Sequence, residues 1–269
     1  MSVNGTPLKW AGSKARIMDT LREHLPAGQR LVEPFAGSCS VMLNTDYAAY
    51  LVADINPDLI NLYQVICEDT RGFLDTARLL FSTANTAEGY YHLRQSFNRD
   101  KSNRTQSAAM FLYLNRHGYN GLCRYNKQGI FNVPYGKYTS PYFPEQEIHF
   151  FAEKAKRATF LCCDFEETLA LVCPDDVVYC DPPYYPASDT ANFTQYHTQG
   201  FDKFDQYRLV TAAGKAARDG AQVVVSNSHI AHDVGLYAGF EVNHISAPRT
   251  ISGNGNRGRV GEIIVKMGR

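Results

Sequence analysis

Short apolar runs alternate with segments of helical pattern at both ends of the chain. The apolar runs predict strands at 30–35, 50–54, 159–162, 177–180, 222–226, 241–245 and 262–266. The helical segments between them begin at residue 40 and recur at 145–157, 165–172, 204–218 and 231–238. Strands that alternate with helices predict a parallel sheet with helices on both faces. We therefore expect an α/β fold.

The middle of the chain has a different pattern. Residues 57–116 have helical spacing. Asn56 is a favourable N-cap, and Pro57 is a favourable first residue of the helix that follows it. Four glycines then interrupt residues 117–138, and the NKQG segment at 126–129 predicts a hairpin turn. Its two arms are 122–125 and 130–133.

This pattern divides the chain into two parts. The α/β part consists of residues 1–56 and 145–269, and the helices and hairpin of residues 57–144 are inserted into it. A chain of 269 residues is long enough for this arrangement and for a substantial core.

Charge separates the same two parts. The chain has 27 basic and 27 acidic residues, so its net charge is zero. Residues 89–144, however, hold eight Lys or Arg residues and one acid, Asp100, which gives this window +7 and the rest of the chain −7. Twelve Phe and Tyr residues lie in the same window. Basic residues interleaved with aromatic ones are typical of a nucleic-acid surface, and a solvated basic helix face is the alternative.

The remaining composition argues for a protein of the reducing cytoplasm. The cysteine count is odd, no C-x-x-C occurs, and we expect buried free thiols and no metal site. The longest apolar runs are much shorter than the roughly 20 residues that cross a bilayer. Residues 1–5 do not have the pattern of a secretion signal. We expect no membrane contact.

The tetrapeptide Asp181-Pro182-Pro183-Tyr184 follows the predicted strand 177–180. Ligands of open α/β sheets bind beyond the carboxyl ends of strands, so these residues are candidates for catalysis. A carboxylate and the carbonyl of a proline can accept both protons of an exocyclic amine, and a tyrosine can stack on its ring. The amine nitrogen then becomes a nucleophile. A plain strand-ending turn is the alternative.

The segment EPFAGS at 33–38 predicts a ligand-binding loop between a strand and a helix. Asp54 ends the next predicted strand, 21 residues after Glu33, where nucleotide folds place an acid that binds ribose. A dinucleotide site is the competing interpretation, but only Gly37 of a G-x-G-x-x-G pattern is present. An adenosine ligand without phosphates fits better. The single tryptophan, Trp10, lies in KWAGSK at 9–14 and is a candidate functional residue. The alternative is a tryptophan of the core between two solvated lysines.

These segments together resemble the Dam-type DNA adenine N6-methyltransferases, over essentially the whole chain and in the family's order. KWAGSK resembles the family's N-terminal cofactor motif, EPFAGS its S-adenosylmethionine loop and DPPY its catalytic motif. Residues 115–126 with 131–134 resemble the target-recognition hairpin of GATC-specific members. Two positions depart from the family: Cys39 stands at a glycine of the loop and Ser13 at a glycine of the first motif. Both are small, so we expect at most slightly shifted cofactor packing.

The resemblance implies a class I, Rossmann-like methyltransferase sheet with an inserted target-recognition domain. Asp181, Pro182, Pro183 and Tyr184 would hold the target adenine. The residues implied in binding S-adenosylmethionine are Trp10, Lys14, Glu33, Phe35, Gly37, Asp54, Ile55, Asp164, Phe165 and Asp181. Those implied in facing the bases are Lys9, Tyr119, Asn120, Leu122, Arg124, Pro134 and Tyr138. Those implied in contacting phosphates are Arg94, Arg116, Asn126, Asn132 and Lys137.

The implied reaction is methyl transfer from S-adenosylmethionine to adenine N6 in double-stranded DNA. The target base must leave the stack for this reaction. We expect a monomer, bacterial or phage-encoded, that acts in the cytoplasm. Two alternatives stay open. A cytosine N4-methyltransferase usually carries Ser where this chain has Asp181. A DNA-binding regulator without activity would not need the intact DPPY motif.

Overall fold

Seven strands and ten α-helices form within residues 2–185, 200–248 and 259–268, which are the residues that this computed structural model describes. The strands are β1 (Arg30–Glu33), β2 (Ala49–Asp54), β3 (Ala158–Cys162), β4 (Val177–Cys180), β5 (Gln222–Ser228), β6 (Glu241–Pro248) and β7 (Arg259–Met267). The helices are α1 (Met18–His24), α2 (Ser40–Asn44), α3 (Pro57–Glu68), α4 (Thr70–Thr83), α5 (Ala87–Arg99), α6 (Arg104–His117), α7 (Glu145–Ala155), α8 (Phe165–Leu169), α9 (Lys203–Arg218) and α10 (His229–Asp233).

The strands form one sheet in the order β3-β2-β1-β4-β5-β7-β6. The first five in this order run parallel, as predicted. β7 lies between β5 and β6 and is antiparallel to both, so the sheet is mixed at this end. The α/β fold and the predicted strands are thus confirmed, with β1 shorter and β5, β6 and β7 longer than predicted.

Neighbouring residues of each strand pack into different cores. Leu31 and Val177 belong to one buried cluster, and the adjacent Val32 and Val178 belong to the other. This alternation follows from the two-residue period of a strand. Helices α8 and α9 cover the second cluster, and the inserted helices share the first cluster with the sheet.

Helix α3 connects the sheet to the insert. Tyr63 of α3 stacks on Phe151 of α7 with ring centroids 4.9 Å apart, and its ring centroid lies 5.6 Å from that of Phe160 of β3. Because α3 also packs on α6, it contacts both predicted parts of the chain. The division at residues 57 and 144 stays a prediction.

The predicted hairpin forms with little strand pairing. Within the described residues its two arms share one isolated bridge, Tyr125 with Phe131, and a second bridge joins Gly118 to Tyr135. Gly129 has φ +75° at the turn, a conformation that glycine adopts without strain. The hairpin is therefore a loop with two short extended arms.

All seven cysteines are free, but the expectation that they are buried is only partly right. Cys39, Cys123 and Cys180 are buried, whereas Cys67, Cys162 and Cys173 are exposed and Cys163 is half-buried. The presence of a cysteine alone did not indicate whether its thiol would be buried or exposed.

Candidate functional site

Three acids follow neighbouring parallel strands and lie at the same edge of the sheet. Glu33 ends β1, Asp54 ends β2 and Asp181 comes directly after β4. The order β2-β1-β4 makes the three strands adjacent, so their carboxyl ends meet. Such an edge is where open α/β sheets bind ligands.

Asp181 forms an ion pair with Lys14, whose Nζ lies 2.7 Å from the carboxylate Oδ1. Lys14 is buried, and its Nζ also donates to the carbonyl of Gly12 at 3.0 Å. Burial raises the pKa of Asp181, and the nearby Lys14 charge acts in the opposite direction. Lys14 and Asp181 are both among the residues expected to bind the cofactor, and the ion pair brings them together.

Tyr184 is fixed from two sides. Its hydroxyl donates to Glu262 of β7 at 2.8 Å, and Lys14 Nζ lies 5.0 Å from its ring centroid. Pro182 is buried, and its carbonyl accepts no hydrogen bond from any described residue. The tetrapeptide therefore presents a carboxylate, an unused carbonyl and a ring held in place.

A polar network that the sequence analysis missed supports this turn. Asn227 of β5 accepts a bond from the backbone N–H of Tyr185 at 2.9 Å and donates to Gln206 Oε1 at 3.0 Å. Gln206 in turn donates to the carbonyl of Pro183 at 2.7 Å. A buried asparagine at the end of the apolar strand β5 was the available signal for this network.

The glycine loop lies under the tryptophan of the first motif. Gly37 has φ +46°, and a Cβ there would lie 2.8 Å from Trp10 Nε1, so no larger residue fits beneath the indole. The Gly37 N–H donates to Asp54 Oδ2 at 3.1 Å, and Tyr63 donates to its carbonyl. Burial raises the pKa of Asp54. Trp10, Gly37 and Asp54 thus form one packed group.

Cys39 occupies the family's second glycine position, and its backbone shows why glycine suits that place. Its φ is +56°, in the left-handed region, and its side chain is fully buried. A residue with a Cβ is strained in this conformation. At the other departure, Ser13 accepts a hydrogen bond from Ser38 at 3.3 Å, which joins the first motif to the loop.

Glu33 is the most unusual of the three acids. Only 2% of the residue is exposed, and its Oε1 has no hydrogen-bond partner in the described part of the chain. Burial raises the pKa of Glu33 to about 8. A buried carboxylate oxygen without a partner fits a cationic ligand.

Aromatic and polar residues line the next part of the edge. Phe35 stacks on Phe165 with centroids 5.5 Å apart. Asp164 caps α8 and accepts a bond from Arg208 at 3.1 Å. Ile55, which follows Asp54, is exposed.

A second group of predicted residues lies between the first motif and the insert. Lys9 Nζ lies 4.0 Å from the ring centroid of Tyr138, whose hydroxyl accepts the N–H of Asn120 at 3.2 Å. Burial lowers the pKa of Lys9, and the charge of Arg116 lowers it further. Tyr119, next to Asn120, is half exposed at 52%.

Arg124 and Asn132 pair across the hairpin. Arg124 Nε donates to Asn132 Oδ1 at 2.7 Å, and Nη2 donates to the Asn132 carbonyl at 3.3 Å. The Nη1 group of Arg124 has no partner among the described residues, and the side chain is exposed. Asn126 uses its Oδ1 inside the turn, where it accepts the N–H groups of Gln128 and Ile130.

The other predicted base-facing residues differ in exposure. Pro134 is exposed, and its carbonyl accepts the N–H of Tyr119 at 2.9 Å. Leu122 is half-buried against the core. Lys137 is exposed, whereas Arg94 is half-buried and donates to the carbonyl of Val133 at 2.8 Å.

Arg116 requires a correction. It is only 7% exposed, its Nε donates to the carbonyl of Pro7 at 2.8 Å, and its Nη2 donates to the carbonyl of Thr6 at 3.1 Å. Burial lowers its pKa to about 10. The guanidinium thus attaches the N-terminal segment to α6 and offers no exposed face to a phosphate, so we withdraw the predicted phosphate contact.

Part of the positive charge of residues 89–144 is paired within the protein, so the net charge of this window overstates the charge available at the surface. Lys101 pairs with the buried Asp58 at 2.6 Å, and Arg104 pairs with Glu68 at 2.8 Å. Together with Arg116, these cations bind parts of the chain itself, so only part of the +7 charge can face a polyanion.

A comparison with models of protein families identifies the family of this chain. Residues 10–251 match the model of the D12 class N6 adenine-specific DNA methyltransferases. The chain belongs to this family. The matched range includes the three acids, the DPPY turn and the whole insert.

Curated relatives of this methyltransferase agree. It is 56% identical over 247 residues to the Retron Ec67 DNA adenine methylase of Escherichia coli, covering 91% of this chain and 85% of the relative. It is 49% identical to a DNA adenine methylase of Vibrio cholerae, with 96% and 94% covered, and 46% identical to that of Escherichia coli K12, with 98% and 95% covered. The protein is an enzyme that methylates adenine N6 in DNA.

Neither a metal cluster nor a membrane span is found in the described ranges. No three His, Cys, Asp or Glu side chains come together there as metal ligands would. None of the helices in these ranges combines the length and the apolar character that a membrane span needs.

Proposed function

We propose that this methyltransferase transfers the methyl group of S-adenosylmethionine to adenine N6 within GATC in double-stranded DNA, after the target base has left the helix. The observation that carries the proposal is the group at the end of β4. It combines the carboxylate of Asp181, the unused carbonyl of Pro182 and the fixed ring of Tyr184.

This group suits an exocyclic amine. The carboxylate can accept one N–H and the Pro182 carbonyl the other, while the Tyr184 ring stacks on the base. Holding both protons directs the nitrogen lone pair out of the ring plane. Because the amino group is paired inside a duplex, the base must be extruded to reach these acceptors.

The acids of β1 and β2 fit S-adenosylmethionine. That molecule carries two cationic groups, and Glu33 offers a buried oxygen that no described residue contacts by a hydrogen bond. Asp54 would accept the ribose hydroxyls, and Trp10 over Gly37 and the Phe35–Phe165 pair offer flat apolar surfaces. When bound, S-adenosylmethionine supplies an electrophilic methyl group on its sulfonium.

The chain itself supplies position and charge. Lys14 keeps a positive charge beside Asp181, which favours the ionised carboxylate that an amine donor needs. The network of Asn227 and Gln206 fixes the turn that carries these acceptors. Correct placement of the amine accounts for most of the acceleration, since direct methyl transfer needs no covalent enzyme intermediate.

The hairpin supports the GATC part of the proposal. Arg124 is exposed and oriented by Asn132, and an arginine fork can donate to O6 and N7 of a guanine. Leu122 and Pro134 offer apolar contacts of the kind that a thymine methyl accepts. Lys137, Asn126, Asn132 and Arg94 would contact the backbone. The resemblance of residues 115–126 and 131–134 to GATC-specific hairpins agrees with this assignment.

The setting of the reaction is part of the same proposal. The relatives named above come from bacteria, which supports action on DNA in a bacterial cytoplasm. We propose that the enzyme works there as a monomer.

Sequencing of modified bases in DNA from cells that express the chain tests the proposal. We expect N6-methyladenine at GATC sites with the wild-type chain and none with Asp181→Ala. N4-methylcytosine, or N6-methyladenine at sites unrelated to GATC, would overturn it.

A further inference from the structure

The predicted hairpin with arms 122–125 and 130–133, here called the recognition hairpin, has few backbone bonds between its own arms. The isolated bridge of Tyr125 with Phe131 consists of two backbone bonds between the described arms, Asn132 N–H to the Arg124 carbonyl at 3.1 Å and Asn126 N–H to the Ile130 carbonyl at 3.0 Å. An isolated two-stranded hairpin is at best marginally stable. The position of each arm therefore depends on what that arm contacts outside the hairpin.

The first arm alternates between inward and outward residues. Cys123 and Tyr125 are buried at 5% exposure each, and Arg124 between them is exposed. Because neighbouring residues of an extended arm point to opposite sides, whatever holds Cys123 and Tyr125 also sets where Arg124 emerges.

Tyr125 is held by a buried acid. Its hydroxyl donates to Asp58 Oδ2 at 2.7 Å, and Asp58 is 7% exposed. Lys101 Nζ donates to both carboxylate oxygens, at 2.8 and 2.6 Å, and so balances the buried charge. A hydrogen bond to a charged and buried group is among the stronger ones in proteins.

The same arm is tied to the catalytic edge of the sheet. Asn56 Nδ2 lies 3.5 Å from Cys123 Sγ, and the Asn56 N–H donates to Asp54 Oδ1 at 3.0 Å. Asn56 also caps α3, whose first turn contains Asp58. Only three residues therefore lie between the acid proposed to bind the cofactor and the acid that holds Tyr125.

The second arm is held by a different element. Asn98 of α5 exchanges two bonds with the backbone of Phe131, at 3.0 and 2.8 Å. Tyr90 and Arg94 of α5 both donate to the carbonyl of Val133, at 2.9 and 2.8 Å. The arm that carries Arg124 is thus anchored to the start of α3, next to the active site, and the opposite arm is anchored to α5.

We propose that Tyr125 and Asp58 are positioning residues for base recognition, which hold Arg124 at a fixed place relative to the catalytic edge. They contact no DNA and act through the arm that they anchor. This inference rests on the proposed reading of a guanine by Arg124. Loss of the anchor would let the arginine fork shift, and the enzyme would then discriminate less between GATC and near-cognate sites.

The test compares kcat/KM on a GATC duplex with kcat/KM on a duplex that differs at one outer base pair. Tyr125→Phe keeps the ring and removes only the hydroxyl. We expect the preference for GATC to fall at least about fivefold, the lower end of what one bidentate guanine contact contributes. Asp58→Asn, which keeps the shape and removes the charge, should lower the preference in the same direction.

Tyr47→Phe is the matched control. Tyr47 is also buried and donates through its hydroxyl to a backbone carbonyl, that of Pro26 at 2.6 Å, but it lies in the α/β part of the chain. We expect this control to leave the preference unchanged. If Tyr125→Phe lowers the rates on both duplexes by one common factor, the bond only stabilises the fold and the proposal is overturned.

The double variant Arg124→Ala with Tyr125→Phe separates this inference from the proposed function. If Tyr125 acts through Arg124, the double variant has the same preference as Arg124→Ala alone. A further loss in the double variant means that Tyr125 acts by another route and overturns the positioning role. An unchanged preference in Arg124→Ala alone would instead overturn the proposed guanine contact.

Discussion

The proposed catalytic edge and the proposed recognition hairpin hold their candidate functional side chains in opposite ways. At the edge, Glu33 and Lys14 are buried and Asp181 lies against Lys14, so the functional groups themselves are fixed. On the hairpin, Arg124 and Pro134 are exposed, and the neighbours that they alternate with are the fixed residues.

The difference follows from what each region must do. A carboxylate that directs an amine works best where water is scarce, because electrostatic interactions are stronger there and the acceptor is already oriented. A side chain that reads a base must reach into a groove, so it cannot be buried in its own protein. Fixing the buried neighbours positions such a side chain without covering it.

The largest expected effect is on the chemical step. Asp181→Ala removes the carboxylate that we propose to accept a hydrogen bond from the amine, and we expect methyl transfer to fall by at least about 10²–10³-fold. DNA affinity should be nearly unchanged, because the carboxylate contacts no phosphate. Single-turnover rates and a binding titration measure both, and a variant that keeps more than a tenth of the wild-type rate would contradict the assignment.

Arg116→Ala should act on stability. It removes the partner of the carbonyls of Thr6 and Pro7, and one unsatisfied buried group costs about 1–3 kcal/mol. We expect the free energy of unfolding to fall by about 2–3 kcal/mol, with Arg124→Ala as the exposed control that leaves it unchanged. A stable Arg116→Ala protein whose DNA binding depends less on salt would restore the phosphate contact.

Asp54→Ala should weaken cofactor binding. The carboxylate would accept ribose hydroxyls, and it also holds the N–H groups of Gly37 and Asn56. A hydrogen bond to a charged group contributes about 1.5–3 kcal/mol, so we expect about 10–100-fold lower affinity for S-adenosylmethionine by calorimetry. DNA affinity without cofactor should hardly change. Unaltered cofactor affinity would mean that Asp54 only shapes the loop.

The expected effect at Glu33 depends on pH. Its pKa of about 8 lies above the ordinary value of glutamate, so between about pH 5 and 8 the folded state keeps a proton that the unfolded state releases. The free energy of unfolding therefore decreases as pH rises through this window. Glu33→Gln removes this dependence, and we expect a gain of about 3–4 kcal/mol over wild type at pH 8 and little gain at pH 5.

The exposed Glu153→Gln is the control for this pH dependence and should show no such gain. Glu33→Gln should also bind S-adenosylmethionine more weakly, because the carboxylate that we propose to face its cationic groups is lost. Denaturant titrations at the two pH values would contradict the account if wild type and Glu33→Gln changed in parallel.

Local patterns were enough to predict most of the fold. β4 has the predicted bounds, and Asn56 caps α3 as its type and the following proline indicate. The direction of β7 was not predictable, because a single apolar run carries no information on which strands it will pair with.

The site was predictable only in part. The DPPY turn was found because its four residues are adjacent, but Glu262 reaches Tyr184 from 78 positions away. Arg116 was misjudged because charge was taken as exposure, although all residues from 107 to 117 on α6 are buried. The anchors of Tyr125 likewise depend on packing between distant segments, which composition and spacing do not encode.

The most direct test of the separation between chemistry and base recognition compares Asp181→Ala with Arg124→Ala. It measures single-turnover methyl transfer on a GATC duplex and on a duplex that differs at one outer base pair. We expect the residual activity of Asp181→Ala to be slow but to keep the wild-type preference for GATC. Arg124→Ala should stay within about tenfold of the wild-type rate on GATC and lose its preference at that base pair, by the roughly 1–3 kcal/mol of one base contact. If Asp181→Ala loses the preference, or Arg124→Ala slows both duplexes alike and keeps it, chemistry and recognition are not separated as proposed.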